Sequence, residues 1–124
     1  MTQVLAIAAG GATGALLRYW VSTGIYSLMG RGFPYGTLVV NVVGSAFMGL
    51  LYVLLLERMT GSPELRAALL IGLLGSFTTF STFSIETLNL IEQADYLKAG
   101  LNILLSVVAC IGAAWLGLLV GRQL

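Results

Sequence analysis

The chain has 124 residues, of which 58% are apolar and 9% charged, against roughly a quarter charged in an average soluble domain. Such a surface is not suited to water, and a net charge of +1 without a basic cluster leaves nothing for a nucleic-acid backbone or an acidic partner to read. Histidine is absent and Cys110 is the only cysteine, so no disulfide framework, paired-thiol motif, cysteine-rich zinc site or histidine general base is available within one chain.

A helix needs roughly 20 mainly apolar residues to cross a hydrocarbon core of about 30 Å. Four segments qualify, at residues 4–28, 36–56, 65–91 and 97–120, and residues 1–124 read as one transmembrane domain. The first apolar run is too long for a cleaved signal peptide and reads as a retained helix. Gly30, Gly32 and Pro34 interrupt the first connection, Thr60 to Pro63 the second, and Gln93, Ala94 and Asp95 the third. Short connections make consecutive helices antiparallel neighbours and put both chain ends on one side.

The first helix carries Gly10 and Gly14, which permit close helix contact, and Arg18 near its middle. A charge at that depth is costly. Arg18 reads either as a structural ion pair or carbonyl cap, or as a group that attracts an anion. In the second helix Asn41 lies near the end distant from the termini, with Gly44 one turn further on. Its amide offers two donors, for an interhelical hydrogen bond or for a ligand.

The third helix is the most unusual. From Gly72 to Ser84 it holds six hydroxyl residues and two glycines, a composition that allows a helix to break at membrane depth if its freed carbonyls find donors, water or a cation. A break is expected near Gly75 to Thr78. Beyond it, helical spacing puts Phe80 and Phe83 on one stripe and Thr79, Thr82 and Glu86 on the next. Ring edges are electropositive and suit an anion, although spacing alone favours ordinary packing for both rings. The fourth helix adds Ser106. Counting from helix midpoints places Arg18, Asn41, Glu86 and Ser106 in the same half of the membrane, in reach of one wet vestibule.

Basic residues are nearly balanced. Arg58, Arg66 and Arg122 lie on the side of the termini and Arg31 and Lys98 on the other, so the positive-inside rule gives little orientation bias and insertion both ways is expected. Four helices leave little protein around a pathway, which points to an oligomer.

These residues resemble the Fluc fluoride-channel family, also called CrcB proteins, over essentially the whole chain. Gly10 to Ala15 leading to Arg18-Tyr19 is similar to its first-helix motif, and Gly36 to Asn41 followed by Gly44 to its second. Gly75 through Thr78-Thr79-Phe80-Ser81-Thr82-Phe83-Ser84 is similar to its central signature. The resemblance implies an all-α, antiparallel dual-topology homodimer in the bacterial plasma (inner) membrane, exporting fluoride passively through two pathways along the dimer interface. By matching positions, Phe80 and Phe83 line the pathways and Asn41 donates to the ion. Thr79, Ser81, Thr82 and Glu86 belong to a polar track. Arg18 shapes the vestibule or stabilises the bend, and Ser106 or a neighbour faces the ion. A structural Na⁺ at the interface is implied, held by backbone carbonyls of Gly75 and Thr78 from both subunits.

Two other classes compete. A small dual-topology multidrug exporter needs a membrane-embedded acid, typically in the first helix, where this chain has Arg18 and no acid; Glu86 is the remaining candidate. In a non-transporting assembly subunit every buried polar residue is structural. No cofactor motif or metal-ligand spacing points to an enzyme.

Overall fold

The computed structural model describes residues 1–124 and contains no strand. Its elements are α1 (Thr2–Met29), α2 (Tyr35–Leu51), α3 (Pro63–Arg66), α4 (Gly75–Phe77), α5 (Phe80–Glu92) and α6 (Tyr96–Gln123). Two wide π-helical stretches complete them, Tyr52–Glu57 after α2 and Ala67–Leu74 between α3 and α4. Four helical spans result that are long and apolar enough to cross a membrane: Thr2–Met29, Tyr35–Glu57, Pro63–Glu92 and Tyr96–Gln123. Each extends past the expected segment by one to three residues at its ends, because polar residues of the interfacial turns remain helical.

Helix starts follow their local chemistry. Ser62 caps α3 by accepting the Leu65 amide at 3.1 Å, with Pro63 in the first turn where no amide partner is needed. Thr79 does the same for α5 through the Thr82 amide at 3.3 Å. At the other end of a span, Gly30 takes a φ of 80° and so turns the chain out of α1.

The third span differs from its expected form in two ways. Gly75 is α-helical, and the extended residues are Thr78 (ψ 157°) and Thr79 (φ −151°, ψ 122°), so the helix stops at Phe77 and resumes at Phe80. The π stretch before it, eight apolar residues, has no local signal in the sequence. π-helices longer than a single turn are rare.

Packing is by backbone approach more than by large side chains. α1 lies on the stretch Ala67–Leu74 and on α4, while α2 lies on α6. A Cβ on Gly14 would sit 2.1 Å from the Leu73 carbonyl oxygen, one on Gly10 2.1 Å from that of Ala68, and one on Gly117 2.0 Å from that of Ala46. Between helices in lipid, where burial of apolar area gives no net drive, such approach supplies the van der Waals contact that associates them. Only 21 of 124 residues are buried, and Leu, Val, Ile and Trp side chains cover the outside, as a hydrocarbon solvent requires.

These contacts separate two kinds of glycine. Gly14→Ala and Gly117→Ala should each destabilise the fold by about 1 to 3 kcal/mol or more through overpacking. Gly24→Ala and Gly112→Ala, with nothing within 4 Å of the added carbon, should leave thermal unfolding in detergent unchanged or slightly raised. Equal losses in all four would mean that close approach is not what these glycines provide.

Candidate functional site

The site is built on the two extended residues of the third span. In a continuous helix the Thr79 amide would bond the Gly75 carbonyl. Here it donates to Asn41 Oδ1 at 2.7 Å, and Asn41 Nδ2 donates back to the Thr79 carbonyl at 2.9 Å. One side chain on α2 thus satisfies both polar groups of a backbone unit that the helix has released. The Arg18 Nε donates to the Ser76 carbonyl at 3.0 Å, so this charge caps a broken helix end. Close seating of α2 on this region depends on Gly44, where a Cβ would lie 2.3 Å from Thr78 Cγ2.

The break leaves acceptors in excess. Thr79 N is taken by Asn41 and Thr82 N by Thr79 Oγ1, so the carbonyls of Gly75 and Thr78 both lack the donor four residues on. No three acidic or cysteine side chains gather anywhere in the chain to hold a metal. Oxygen ligands for a hard cation would therefore come from main-chain carbonyls such as these two.

Beside the break opens a cavity of about 380 Å³. Asn41, Gly44, Ser45 and Met48 of α2 form one wall, Thr78, Thr79, Phe80 and Phe83 a second, and Ser106, Val107, Cys110 and Ile111 of α6 a third. The Phe80 and Phe83 rings are tilted by 46° with centroids 5.3 Å apart, and Phe80 projects from the chain with 78% of its surface exposed. Thr79 Oγ1 lies 3.1 Å from Thr82 Oγ1 and 3.5 Å from Ser81 Oγ, so three of the polar-track residues meet at the start of α5.

Glu86 lies elsewhere. Its carboxylate accepts from Tyr26 OH at 2.7 Å and from Thr37 Oγ1 at 2.5 Å, and it borders a second cavity of about 350 Å³ with Arg31, Asn89, Asp95 and Lys98. The Arg31 guanidinium stacks 4.4 Å over the Tyr26 ring. Of the four residues that counting gathers into one vestibule, the first cavity thus unites Asn41 and Ser106, while Glu86 lines the second and Arg18 lines neither. Helix midpoints assign a half of the membrane but neither azimuth nor level within it: Arg18 bonds Ser76, whereas Glu86 bonds Tyr26, more than two turns further along α1.

Four polar residues around the two cavities are absent from the sequence reading of the site. Tyr26 and Thr37 hold Glu86; Asn102 and Thr87 form a buried pair between α6 and α5, with Asn102 Nδ2 donating to Thr87 Oγ1 at 2.8 Å. Asn102 is only 2% exposed. An amide within an apolar span is a signal as strong as that of Asn41, so Asn102 was available to the same rule; Tyr26, near a helix end, reads as an interfacial anchor.

Residues 5–118 match the family model described as CrcB-like protein, Camphor Resistance (CrcB). Curated relatives carry the name fluoride-specific ion channel FluC, among them the following three. The one from Coxiella burnetii is 57% identical over 123 residues, covering 98% of this chain and 99% of the relative. That from Geobacter sulfurreducens is 49% identical over the full length of both. The one from Methylococcus capsulatus is 55% identical over 122 residues, 98% of this chain but 54% of the relative, so the chain spans about half of that protein's length.

The Asn41 clamp gives a direct expectation. Asn41→Leu leaves the Thr79 N–H and C=O without partners inside the membrane, at a cost of about 1 to 3 kcal/mol per group. Thermal unfolding should shift down, and mass-spectrometric hydrogen exchange should speed up in peptides spanning the break and not in α6. Unchanged exchange across Thr78 and Thr79 would remove the clamp from the account.

Proposed function

Because the chain belongs to the CrcB-like family, we propose that it is a fluoride-selective channel that lets fluoride leave the cytoplasm down its electrochemical gradient, with no catalytic step. The carrying observation is the cavity beside the break, which collects an amide, hydroxyls and aromatic rings with no formal positive charge. Fluoride is small and strongly hydrated. A pore must replace its water with donors, yet a fixed ammonium or guanidinium would hold it too firmly for rapid release.

Donor counting assigns the roles. Asn41 has two amide hydrogens and spends one on the Thr79 carbonyl, leaving one for the ion. Phe80 and Phe83 offer electropositive edges. Thr79, Ser81 and Thr82 supply hydroxyls at the start of α5, Ser106 supplies one from α6, and Glu86 stands further along as the wall of the second cavity. Arg18 acts through the bend and not on the ion, because its Nε is held on the Ser76 carbonyl and it lines neither cavity.

The working unit we propose is an antiparallel homodimer in the bacterial inner membrane. Phe80, Ser81 and Gly75 are exposed in the single chain, and a second copy would cover them and close the open side of each cavity. The balanced basic residues favour insertion in both orientations. The unpaired carbonyls of Gly75 and Thr78 fit a structural Na⁺, two from each subunit; bound there, the ion would neutralise carbonyl dipoles at the centre of the interface.

Efflux of fluoride from proteoliposomes, read by a fluoride electrode with chloride as comparison, tests this reading. Phe80→Ile and Phe83→Ile keep apolar bulk and remove the ring edge, so each should lower fluoride efflux at least about tenfold, equivalent to about 1.4 kcal/mol, with dimer size in detergent unchanged. Normal efflux in both would make the rings packing elements. No fluoride efflux from the unmodified chain would overturn the function itself.

Orientation is tested separately. In a Cys110→Ser background, single cysteines placed in each connecting loop should be modified by impermeant reagents from both sides of the membrane. A single accessible side for every loop would exclude the antiparallel arrangement.

A further inference from the structure

Six hydroxyls in these spans share one fate. Thr13, Ser22, Ser27, Thr78, Ser84 and Thr87 each donate to the carbonyl four residues earlier, which satisfies them locally and commits their only proton. Ser106 is different. The residue lines the first cavity, and its hydroxyl donates to the side-chain oxygen of Asn102 at 3.4 Å, at the long, weak end of the range. Asn102 is itself held by its amide nitrogen on Thr87 Oγ1 at 2.8 Å, and Thr87 donates onward to the Phe83 carbonyl at 2.7 Å. Both Asn102 and Ser106 are more than nine-tenths buried.

From this we infer that Asn102 is a positioning residue for conduction: it keeps the proton of Ser106 in a releasable bond facing the cavity, so that the hydroxyl can turn to a fluoride ion there. The inference rests on the fluoride-channel reading. The main-chain carbonyl four residues before Ser106 belongs to Asn102 as well, so the residue offers the serine both alternatives. While the amide is present, the hydroxyl rests on a long bond. A charged acceptor outcompetes that bond, since hydrogen bonds to ions are about twice as strong as neutral ones. Without the amide the hydroxyl falls back on the carbonyl, as its six counterparts do. The bond from Asn102 to Thr87 aims the amide oxygen at Ser106, and the same chain of bonds reaches the backbone of Phe83, a second wall of the cavity.

A double-mutant cycle in proteoliposomes distinguishes positioning from simple support. Asn102→Leu and Ser106→Ala should each lower fluoride efflux per dimer about tenfold, the worth of one donor to a charged acceptor. The double variant should fall no further, because both changes remove the same donor. Asn102→Ala serves in place of Asn102→Leu if the larger side chain prevents assembly. Losses that multiply to about 100-fold, or efflux like the parent's in the Asn102 variants, overturn the proposal. Failure of both Asn102 variants to assemble would assign the residue to folding and likewise overturn it. An unmodified chain that moves no fluoride defeats the channel reading, and this inference with it. Multiplied losses in a chain that does conduct defeat the inference alone.

Discussion

A membrane-spanning helix can be interrupted only where something replaces the backbone hydrogen bonds it gives up, and here that replacement is the amide of Asn41. A neighbouring carboxamide mimics a peptide group: its oxygen takes the Thr79 N–H and its nitrogen serves the Thr79 C=O. Water does this for a loop in a soluble protein. Within hydrocarbon, protein must. The remaining features of the site follow from that exchange. With Thr79 extended, its hydroxyl is free to cap α5, and the cap sets where Phe80 and Phe83 leave the new helix. Because Thr79 N and Thr82 N are bound to side chains, two carbonyls are left over on the same short stretch. Gly44 then has to be a glycine, since a side chain there would push α2 off the break and carry Asn41 away from its partner.

Partners also divide the polar groups of the spans into two sets. Hydroxyls on the carbonyl four residues back, and Arg18 on Ser76, are spent on the backbone and hold shape. Several of those without such a bond stand at the two cavities: the second hydrogen of Asn41, the hydroxyls at the start of α5, Ser106, and the pair that holds Glu86. The division is made by hydrogen-bond arithmetic and not by residue type, as serine and threonine occur in both sets. It explains why one polar composition supplies both scaffold and lining.

Much of this was legible in the sequence because lipid makes polarity conspicuous. The four spans emerge from composition averaged over some twenty residues, and the cost of a polar group in hydrocarbon singles out Arg18, Asn41, Glu86 and the hydroxyl-rich third segment individually. Partner choice is not legible. Whether Arg18 draws an anion or caps a carbonyl depends on where Ser76 comes to rest, 58 residues later. Counting puts Glu86 in the same half of the membrane as Asn41, but it faces Tyr26 and Thr37, and sequence spacing within one helix cannot say which neighbour a face will meet. The π stretch Ala67–Leu74 is invisible for a related reason. Its residues are uniformly apolar, and its wider turns coincide with the contacts that Gly10, Gly14 and Gly72 make with the opposing backbone. The break falls beyond Gly75 because the glycine merely permits extension, whereas Asn41 stabilises it, and Asn41 reaches Thr79.

The single chain supplies three walls of the cavity and leaves a further side open. Phe80 shows why this matters physically. An exposed phenylalanine beside lipid is unremarkable by itself, but Ser81 and Gly75 of the same span are exposed as well, and the carbonyls left over by the break lie on that stretch. Hydrocarbon is a poor neighbour for unpaired carbonyls, while water would dissolve the low-dielectric setting in which ring edges and single hydrogen bonds compete with hydration. In the dimer we propose, a second copy of the same surface would meet both requirements at once. It would exclude lipid from the carbonyls, which would then share a cation, and it would close the cavity with protein. In the proposed dimer the helix break is therefore a single device with two outlets: the side chains gathered at it, the Asn41 amide with the rings and hydroxyls at the start of α5, would face the anion, and its released acceptors would face the cation.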